Sequence, residues 1–421
     1  MREYSRALEY LFSLEKFGIV FGLENIRWLL GLVGDPQNAF KAVHVGGTNG
    51  KGSVATMLAA MLHKAGYSTG KYTSPHLLSF TERVTVNEVP MSEENLVDIT
   101  ATLREAVERE GPDRFFTFFD FTTALAFEQF RRKKVEVAVA EVGLGGRLDS
   151  TNVLAPLVSI ITNVAMDHMD YLGNTIGQIA VEKAGVIKEG VPAVTGAEGE
   201  ALEIIRGSAA AKDSRLYVLG EDFSFRKTGE QMMSYEGIHH TMEDLYINLK
   251  GDHQLANSAV ALCALEILSG VGFNVTENDI HEALAEIDWP GRLEVVRERP
   301  IVLLDGAHNP HGCRSLARYL KERYPDTRKV LVFGVMKDKK FQEMMEILMP
   351  LMDHIILTTT ITDRAAEPEA LKSFAPGALV RPHIKEALET AQALATDEDM
   401  IIVTGSLYIL GDAKEYIDEV F

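Results

Sequence analysis

Cysteine is almost missing from this 421-residue chain: Cys263 and Cys313 stand far apart, with no CxxC spacing. That excludes a disulfide framework and a cysteine-based zinc site, and makes the reducing cytoplasm the expected compartment. Long apolar runs are missing too, since none approaches the ~20 uncharged residues of a membrane span. The opening Met1-Arg-Glu-Tyr-Ser-Arg carries charge where a secretory leader needs an apolar core. Positive charge is in short supply, with 42 Lys+Arg against 61 Asp+Glu and a net charge of −19. Nucleic acid and anionic membrane surfaces are therefore not expected partners, and any anion site needs local cations to overcome the field. There is no internal repeat and no low-complexity tract. With 46% hydrophobic and 24% charged residues, the chain reads as folded, and at about 100–200 residues per domain as two or three domains.

Hydrophobic periodicity divides the chain in two. From Lys41 to about Gly196, short β-rich runs (Ala42–Val45, Val135–Val142, Leu157–Thr162, Val191–Thr195) alternate with helical patterns. In one of these, Gly52–Ala65, Val54, Met57, Leu58, Met61 and Leu62 share a face. That order predicts α/β architecture with a mostly parallel sheet. Residues 210–250, with Leu216–Leu219 and Leu245–Leu249, read as an irregular β excursion before a long helix, His253–Leu268. Past Trp289-Pro290-Gly291 the alternation resumes. Strands are predicted at Ile301–Asp305, Lys329–Val335, His354–Thr359 and Met400–Thr404, and helices at His311–Arg323, Phe341–Met349, Ile384–Ala395 and Leu407–Glu419. A second, smaller Rossmann-like domain is expected, with the boundary in the helix-breaking stretch Pro290–Pro300: domains 1–290 and 291–421.

The densest local signal is His44-Val45-Gly46-Gly47-Thr48-Asn49-Gly50-Lys51-Gly52-Ser53, a strand running through glycines into a helix. Glycines let successive N–H groups converge on phosphate oxygens, the helix start adds partial positive charge, Lys51 reaches terminal phosphates, and the Ser53 hydroxyl is a Mg²⁺ ligand candidate. It is not a strict Walker A motif: Val45 takes the first-glycine position and Gly52 separates Lys51 from Ser53. The run Val135–Val142 places Glu141 at a strand end before Gly143-Leu144-Gly145-Gly146, where nucleotide sheets carry a metal ligand or water-positioning acid. By their own context, His168 (after Asp167 in a loop) and Lys183 (in a predicted helix Thr175–Lys188) read as solvated side chains. Asp305-Gly306-Ala307-His308-Asn309-Pro310 ends a second-domain strand with an acid and a histidine. Two strand-end sites on two domains imply a cleft between them.

Assembled in order, these motifs resemble the folylpolyglutamate synthase/dihydrofolate synthase family of the Mur ligase superfamily. The matching segments are HVGGTNGKGS at 44–53, TSPHL at 73–77, EVGLGGRLDSTN at 141–152, ITNVAMDHMDYLG at 161–173, EKAGVIK at 182–188, Gln254–Asn257, WPGRLE at 289–294, LDGAHNP at 304–310 and TGSLYILG at 404–411. The resemblance implies an ATP-dependent amide ligase: a carboxylate takes the γ-phosphoryl group of ATP, and the amine of L-glutamate attacks the acyl phosphate. It implies that Gly50, Lys51, Gly52 and Ser53 hold phosphates, and that Asn257, Arg292 and Asp305 contact ATP. It further implies that Ser74, Glu141 and His168 ligate Mg²⁺, that a carboxylated Lys183 binds a second Mg²⁺, and that His308 lies near the reacting groups. A monovalent cation such as K⁺ is compatible with the family. Phe118, Phe119 and Asp120 with Leu148, Asp149 and Ser150 match its pterin site. Asp120 stands where many relatives have Glu and Ser150 where LDATN is usual, so substrate range is less constrained than ligase chemistry. The aromatic run Phe115, Phe116, Phe118, Phe119 and Phe121 is read equally as core packing or ring stacking. Small-molecule substrates (dihydropteroate or folate, L-glutamate, ATP) and a monomer are the expectation. The alternatives are a monofunctional folylpolyglutamate synthase, another Mur-type ligase such as one for a peptidoglycan precursor, or a nucleotide-dependent switch.

Overall fold

The β-branched runs of the sequence become the middles of two sheets, and the glycine-rich segments become the loops at their ends. A computed structural model describes residues 2–18, 20–110, 115–360, 362 and 364–421. The first sheet holds β1 (Lys41–Gly46), β2 (Thr69–Tyr72), β3 (Val84–Val86), β4 (Val89–Pro90), β5 (Val137–Glu141), β6 (Val158–Ile161), β7 (Ala193–Thr195) and β8 (Leu216–Val218). Their spatial order is β4-β3-β2-β5-β1-β6-β7-β8. All pairings are parallel except β2–β3 and β3–β4, which are antiparallel. Register places Val45 beside Glu141 and Gly46 beside Ile161, so the loops after β1, β5 and β6 leave the same sheet edge together. That edge is where parallel sheets bind ligands.

The helix after β1, Lys51–Lys64, corrects the one-face expectation, because every residue from Gly52 to Leu62 is buried. It lies against the sheet on one side and against the helices Asp252–Ser269 and Glu277–Glu286 on the other. Its remaining faces are small, with Gly52, Ala55, Ala59 and Ala60, and small residues permit close approach from all sides. The helix Ile176–Ala184 is shorter than expected, stopping before Gly185. Within 210–250 the excursion is partly regular: β8 extends the first sheet, and a three-stranded antiparallel sheet follows, comprising β9 (Ser224–Gly229), β10 (Met232–Glu236) and β11 (Thr241–Tyr246).

The third sheet comprises β12 (Glu294–Glu298), β13 (Ile301–Asp305), β14 (Lys329–Phe333), β15 (His354–Leu357), β16 (Leu379–Val380) and β17 (Met400–Thr404), ordered β12-β13-β17-β14-β15-β16. Only β12 is antiparallel, and it occupies half of the stretch expected to be a break. Pro290 and Gly291 end the preceding pattern, but Glu294–Glu298 pairs with β13 rather than acting as a free linker. Separate apolar layers cover the two faces of this sheet. The loop after β2 wedges between the two halves of the chain: Leu77 packs beside Leu407 and Leu410, and a Cβ at Gly411 would lie 2.2 Å from the Leu77 carbonyl. Among the described residues, no helix is long and apolar enough to cross a membrane.

Candidate functional site

The loop after β1 is shaped by contacts only glycine permits. Gly47 has φ +133° and Gly50 φ +82°, and a Cβ at Gly50 would meet Asn257 Oδ1 at 2.4 Å. Thr162 and Asn163, just past β6, clamp the loop. Thr162 Oγ1 and Asn163 Nδ2 donate to the Asn49 carbonyl at 2.6 and 2.9 Å, and the Asn49 amide donates to Asn163 Oδ1 at 3.0 Å. The sequence predicts Thr162 as the last residue of a strand and assigns neither it nor Asn163 a role in the site. Lys51 begins the helix. Its Nζ donates to the Thr48 carbonyl at 3.1 Å and lies 3.9 Å from Glu141 Oε1. Gly52 abuts the Trp289 ring, and Ser53 is buried behind it.

Glu141 is buried at the end of β5, and Ser74 donates its backbone N–H to Oε2 at 3.0 Å. Burial pushes its carboxyl upward in pKa, opposed mainly by the Lys51 charge. Lys183 corrects the solvated reading outright, being 4% exposed with Nζ donating to the Gly47 carbonyl at 2.7 Å. Burial, aided by the Lys51 charge, brings its ammonium down to about 7. The local cause is glycine packing. A Cβ at Gly146 would lie 2.8 Å from the Glu182 carbonyl, and one at Gly185 2.3 Å from Arg147 Cβ, so the helix end sits hard against the loop after β5. Glu182 then points outward to Arg147 at 2.8 Å, and Lys183 points inward.

Asp167, unassigned by the sequence reading, joins the two halves. Its Oδ1 accepts from Lys339 Nζ at 2.6 Å, its Oδ2 accepts from Asn309 Nδ2 at 3.0 Å, and His308 Nε2 lies 3.5 Å from Oδ2. Burial alone would raise its pKa, but His308, His168 and Lys339 together hold it well below the usual range. His168 is not a free loop histidine: burial takes its imidazole down to about 3, and Nε2 faces Lys339 Nζ at 3.3 Å. A neutral ring accepts that bond. Asn49 and Asn309 exchange amide hydrogen bonds across the same junction. Lys51, Asp167, His168, Lys183 and His308 thus face one small cavity, of about 30 Å³.

Arg292 and Asp305 form the neighbouring wall. Asp305 accepts from the amides of Leu293 (3.0 Å) and Ala307 (3.1 Å) and faces the half-buried Arg292 charge, while burial raises its pKa. Arg292 Nη1 donates to the Gly291 carbonyl at 3.3 Å, and a Cβ at Gly306 would overlap it. The aromatic group lies on the far side of the loop after β5, where Phe119 stacks on Tyr72 (5.9 Å) and fills the space a Gly143 side chain would take. Phe118 stacks on Phe12 (5.7 Å, 10°). Asp120 caps its own helix through Thr117 and accepts from Ser150 Oγ at 2.7 Å. Asp149 accepts from the Leu144 and Thr151 amides, and burial raises it to about 6. Leu148 is half-buried beside them. In the aromatic run, Phe116 and Phe121 are core, and Phe115 is the exposed member.

Among the described residues, no three His, Cys, Asp or Glu side chains converge as a self-sufficient metal cluster. Two pairs lie close instead: Glu141, which accepts the Ser74 backbone N–H, and Asp167 with His168, the latter pair closed around the Lys339 ammonium.

Comparison with known proteins follows the same division. Residues 45–265 match the Mur ligase middle domain, and residues 291–407 match the Mur ligase, glutamate ligase domain. The dihydrofolate synthase/folylpolyglutamate synthase of Bacillus subtilis is 35% identical over 433 residues, covering 98% of either chain. Mycobacterium tuberculosis folylpolyglutamate synthase complexed with ADP and AMPPCP is similar with a TM-score of 0.91 at 31% identity, covering 98% of both chains. Escherichia coli FolC in complex with DHPP and ADP is similar with a TM-score of 0.90 at 32% identity, again over 98% of both.

Proposed function

The chain belongs to the Mur ligase family, as an ATP-dependent ligase of the dihydrofolate synthase/folylpolyglutamate synthase kind that adds glutamate in folate metabolism, and from that premise we propose that it extends both dihydropteroate and reduced folates. The observation that carries this reading is the convergence of Lys51, Lys183, Asp167, His168 and His308 on one cavity where the two halves meet. We assign residues 1–290 to nucleotide and pterin binding and 291–421 to glutamate. A nucleotide switch has no need of a second half-site.

The glycine loop and Lys51 hold the triphosphate, with Ser53, Asn257, Arg292 and Asp305 around the nucleotide. The substrate carboxylate attacks the γ-phosphorus as ADP leaves, and the amine of glutamate then displaces phosphate from the acyl carbon. Such a transfer needs positioning and charge neutralisation more than covalent chemistry. His308 suits the proton transfer: its Nδ1–H donates to the Gly306 carbonyl at 2.8 Å, leaving Nε2 of the neutral ring as acceptor for the amine proton. Asp167 at 3.5 Å stabilises the cation so formed.

The donor sets fit magnesium in part. The Glu141 carboxylate and Ser74 hydroxyl are hard oxygen donors, while His168 is a softer ligand. That the Lys339 ammonium sits between Asp167 and His168 supports a second cation place there, which a carboxylated Lys183 would complete. Magnesium bound to these residues would supply neutralisation of the phosphate charge. The dihydropteroate arm of the proposal leans on Phe118, Phe119, Asp120, Leu148, Asp149 and Ser150, where Asp120 and Ser150 already bond each other. The test is ADP release with ATP, Mg²⁺ and glutamate, run with dihydropteroate and, separately, with tetrahydrofolate. Release with both is expected. Silence with dihydropteroate alone reduces the activity to polyglutamylation.

A further inference from the structure

An ammonium carries only donors, so every atom it bonds to must offer a lone pair. Lys339, in the loop between β14 and the helix Phe341–Leu348, reaches across the junction with a side chain that is 6% exposed. Its Nζ donates to Asp167 Oδ1 at 2.6 Å and to His168 Nε2 at 3.3 Å. Asp338 Oδ2 lies farther off, at 3.6 Å. The bare nitrogen of His168 is therefore Nε2, aimed at the same point as the Asp167 oxygen. Both acceptors are fixed locally. Asp167 Oδ1 also accepts the His168 amide at 2.9 Å, and the His168 backbone is kept in the left-handed region at φ +50°, disfavoured for a residue with a side chain.

A carboxylate oxygen and an imidazole nitrogen converging on one cation are also atoms that a divalent metal takes. Here the cation between them belongs to the protein and comes from the other half of the chain. An ammonium and a metal ion cannot use the same two lone pairs at once, and their like charges repel at such distances. We propose that Lys339 is an internal competitor for the second metal: it fills the cation place in the metal-free protein, and a divalent ion gains that place by expelling it. Expulsion breaks the Lys339 tie between the halves and leaves Asn309 bonded to Asn49 and, through the other oxygen, to Asp167. Metal loading thereby loosens the loop after β14 from the phosphate half. This rests on the cation place proposed above and adds what holds it before a metal arrives.

The probe is Mn²⁺ in place of Mg²⁺, with free ion counted by electron paramagnetic resonance in protein without nucleotide. Wild type, Lys339→Met and Lys339→Met/His168→Ala are compared, with melting temperatures alongside. Methionine keeps most of the side-chain length and removes the charge. One charge-assisted hydrogen bond corresponds to roughly tenfold to a hundredfold in affinity. Lys339→Met should bind Mn²⁺ tighter than the wild type by that factor, and the gain should vanish in the double variant. Binding no tighter than wild type in Lys339→Met overturns the proposal. A gain that survives the loss of His168 puts the ion elsewhere and overturns the proposal together with the cation place. Should Lys339→Met fail to fold, the wild type answers alone: modification of Lys339 by an amine reagent, mapped by mass spectrometry, should rise severalfold on adding Mn²⁺, and unchanged modification refutes the displacement. The ligase reading is judged separately, by ADP release.

Discussion

His44 makes the stability of the fold depend on pH. It lies on β1, two residues before Gly46, wholly buried, with Nε2 2.7 Å from Thr151 Oγ1 and Nδ1 without a partner among the described residues. Burial, with the Lys188 charge nearby, lowers its pKa from 6.5 to about 3. The native state therefore keeps the ring neutral where the unfolded chain binds a proton. Stability is at its full value above pH 6.5 and is lost as pH falls from 6.5 toward 3. At pH 5, about 1.5 units below the pKa of the unfolded ring and still above that of the native one, protonation of the unfolded chain costs the fold about 2 kcal/mol. Urea unfolding of wild type and His44→Asn at pH 7 and pH 5 measures this as a difference of differences. Other histidines held neutral by partial burial, such as His76 and His253, contribute equally to both proteins and cancel. The wild type should lose about 2 kcal/mol more than the variant on acidification. Identical pH dependence in the two proteins would refute the reasoning.

What the sequence made legible follows from how local each feature is. The phosphate loop combines a β-branched strand, clustered glycines and a helix start within ten residues, and it folds as those residues predict. The strand-end acids Glu141 and Asp305 were legible because a carboxylate closing an apolar run is locally anomalous. Lys183 was not, since its burial depends on Gly146 and Gly185 admitting a helix end against a distant loop, a contact with no periodic trace. Asp167 and Lys339 lie far apart in the chain and meet only once the two sheets are assembled. The all-round burial of Lys51–Lys64 was hidden because alanine and glycine read as a neutral face until two further helices cover it. Asp120 carried a readable second meaning: Thr117-Phe-Phe-Asp120 is a capping-box pattern, so its carboxylate is committed to the helix start as well as to Ser150.

Lys51→Ala is expected to abolish ADP formation while leaving the melting temperature within a few degrees, as Lys51 makes one backbone hydrogen bond and one long ion pair. A large stability loss with appreciable turnover would contradict a phosphate role. Glu266→Ala should do the reverse. The buried carboxylate accepts from Tyr235 Oη and the amides of Ile238, His239 and His240, so its loss should cost about 3 kcal/mol in unfolding experiments. Turnover per folded molecule should be retained. Lys183→Ala tests the second cation place. An ammonium there would oppose magnesium and triphosphate, whereas a carbamate is an anionic oxygen donor of the kind hard cations prefer. The side chain lies in the cavity against the Gly47 carbonyl, so truncation opens a hole beside the phosphate loop without removing a surface contact. Ligase turnover should fall to a small fraction, ATP binding should persist through the intact loop, and added acetate should partly restore turnover by supplying the missing carboxylate. Near-normal turnover in Lys183→Ala, or a loss that acetate and other small carboxylates leave unchanged while ATP still binds, would rule out an anionic lysine and leave Lys183 as a neutral prop for the loop.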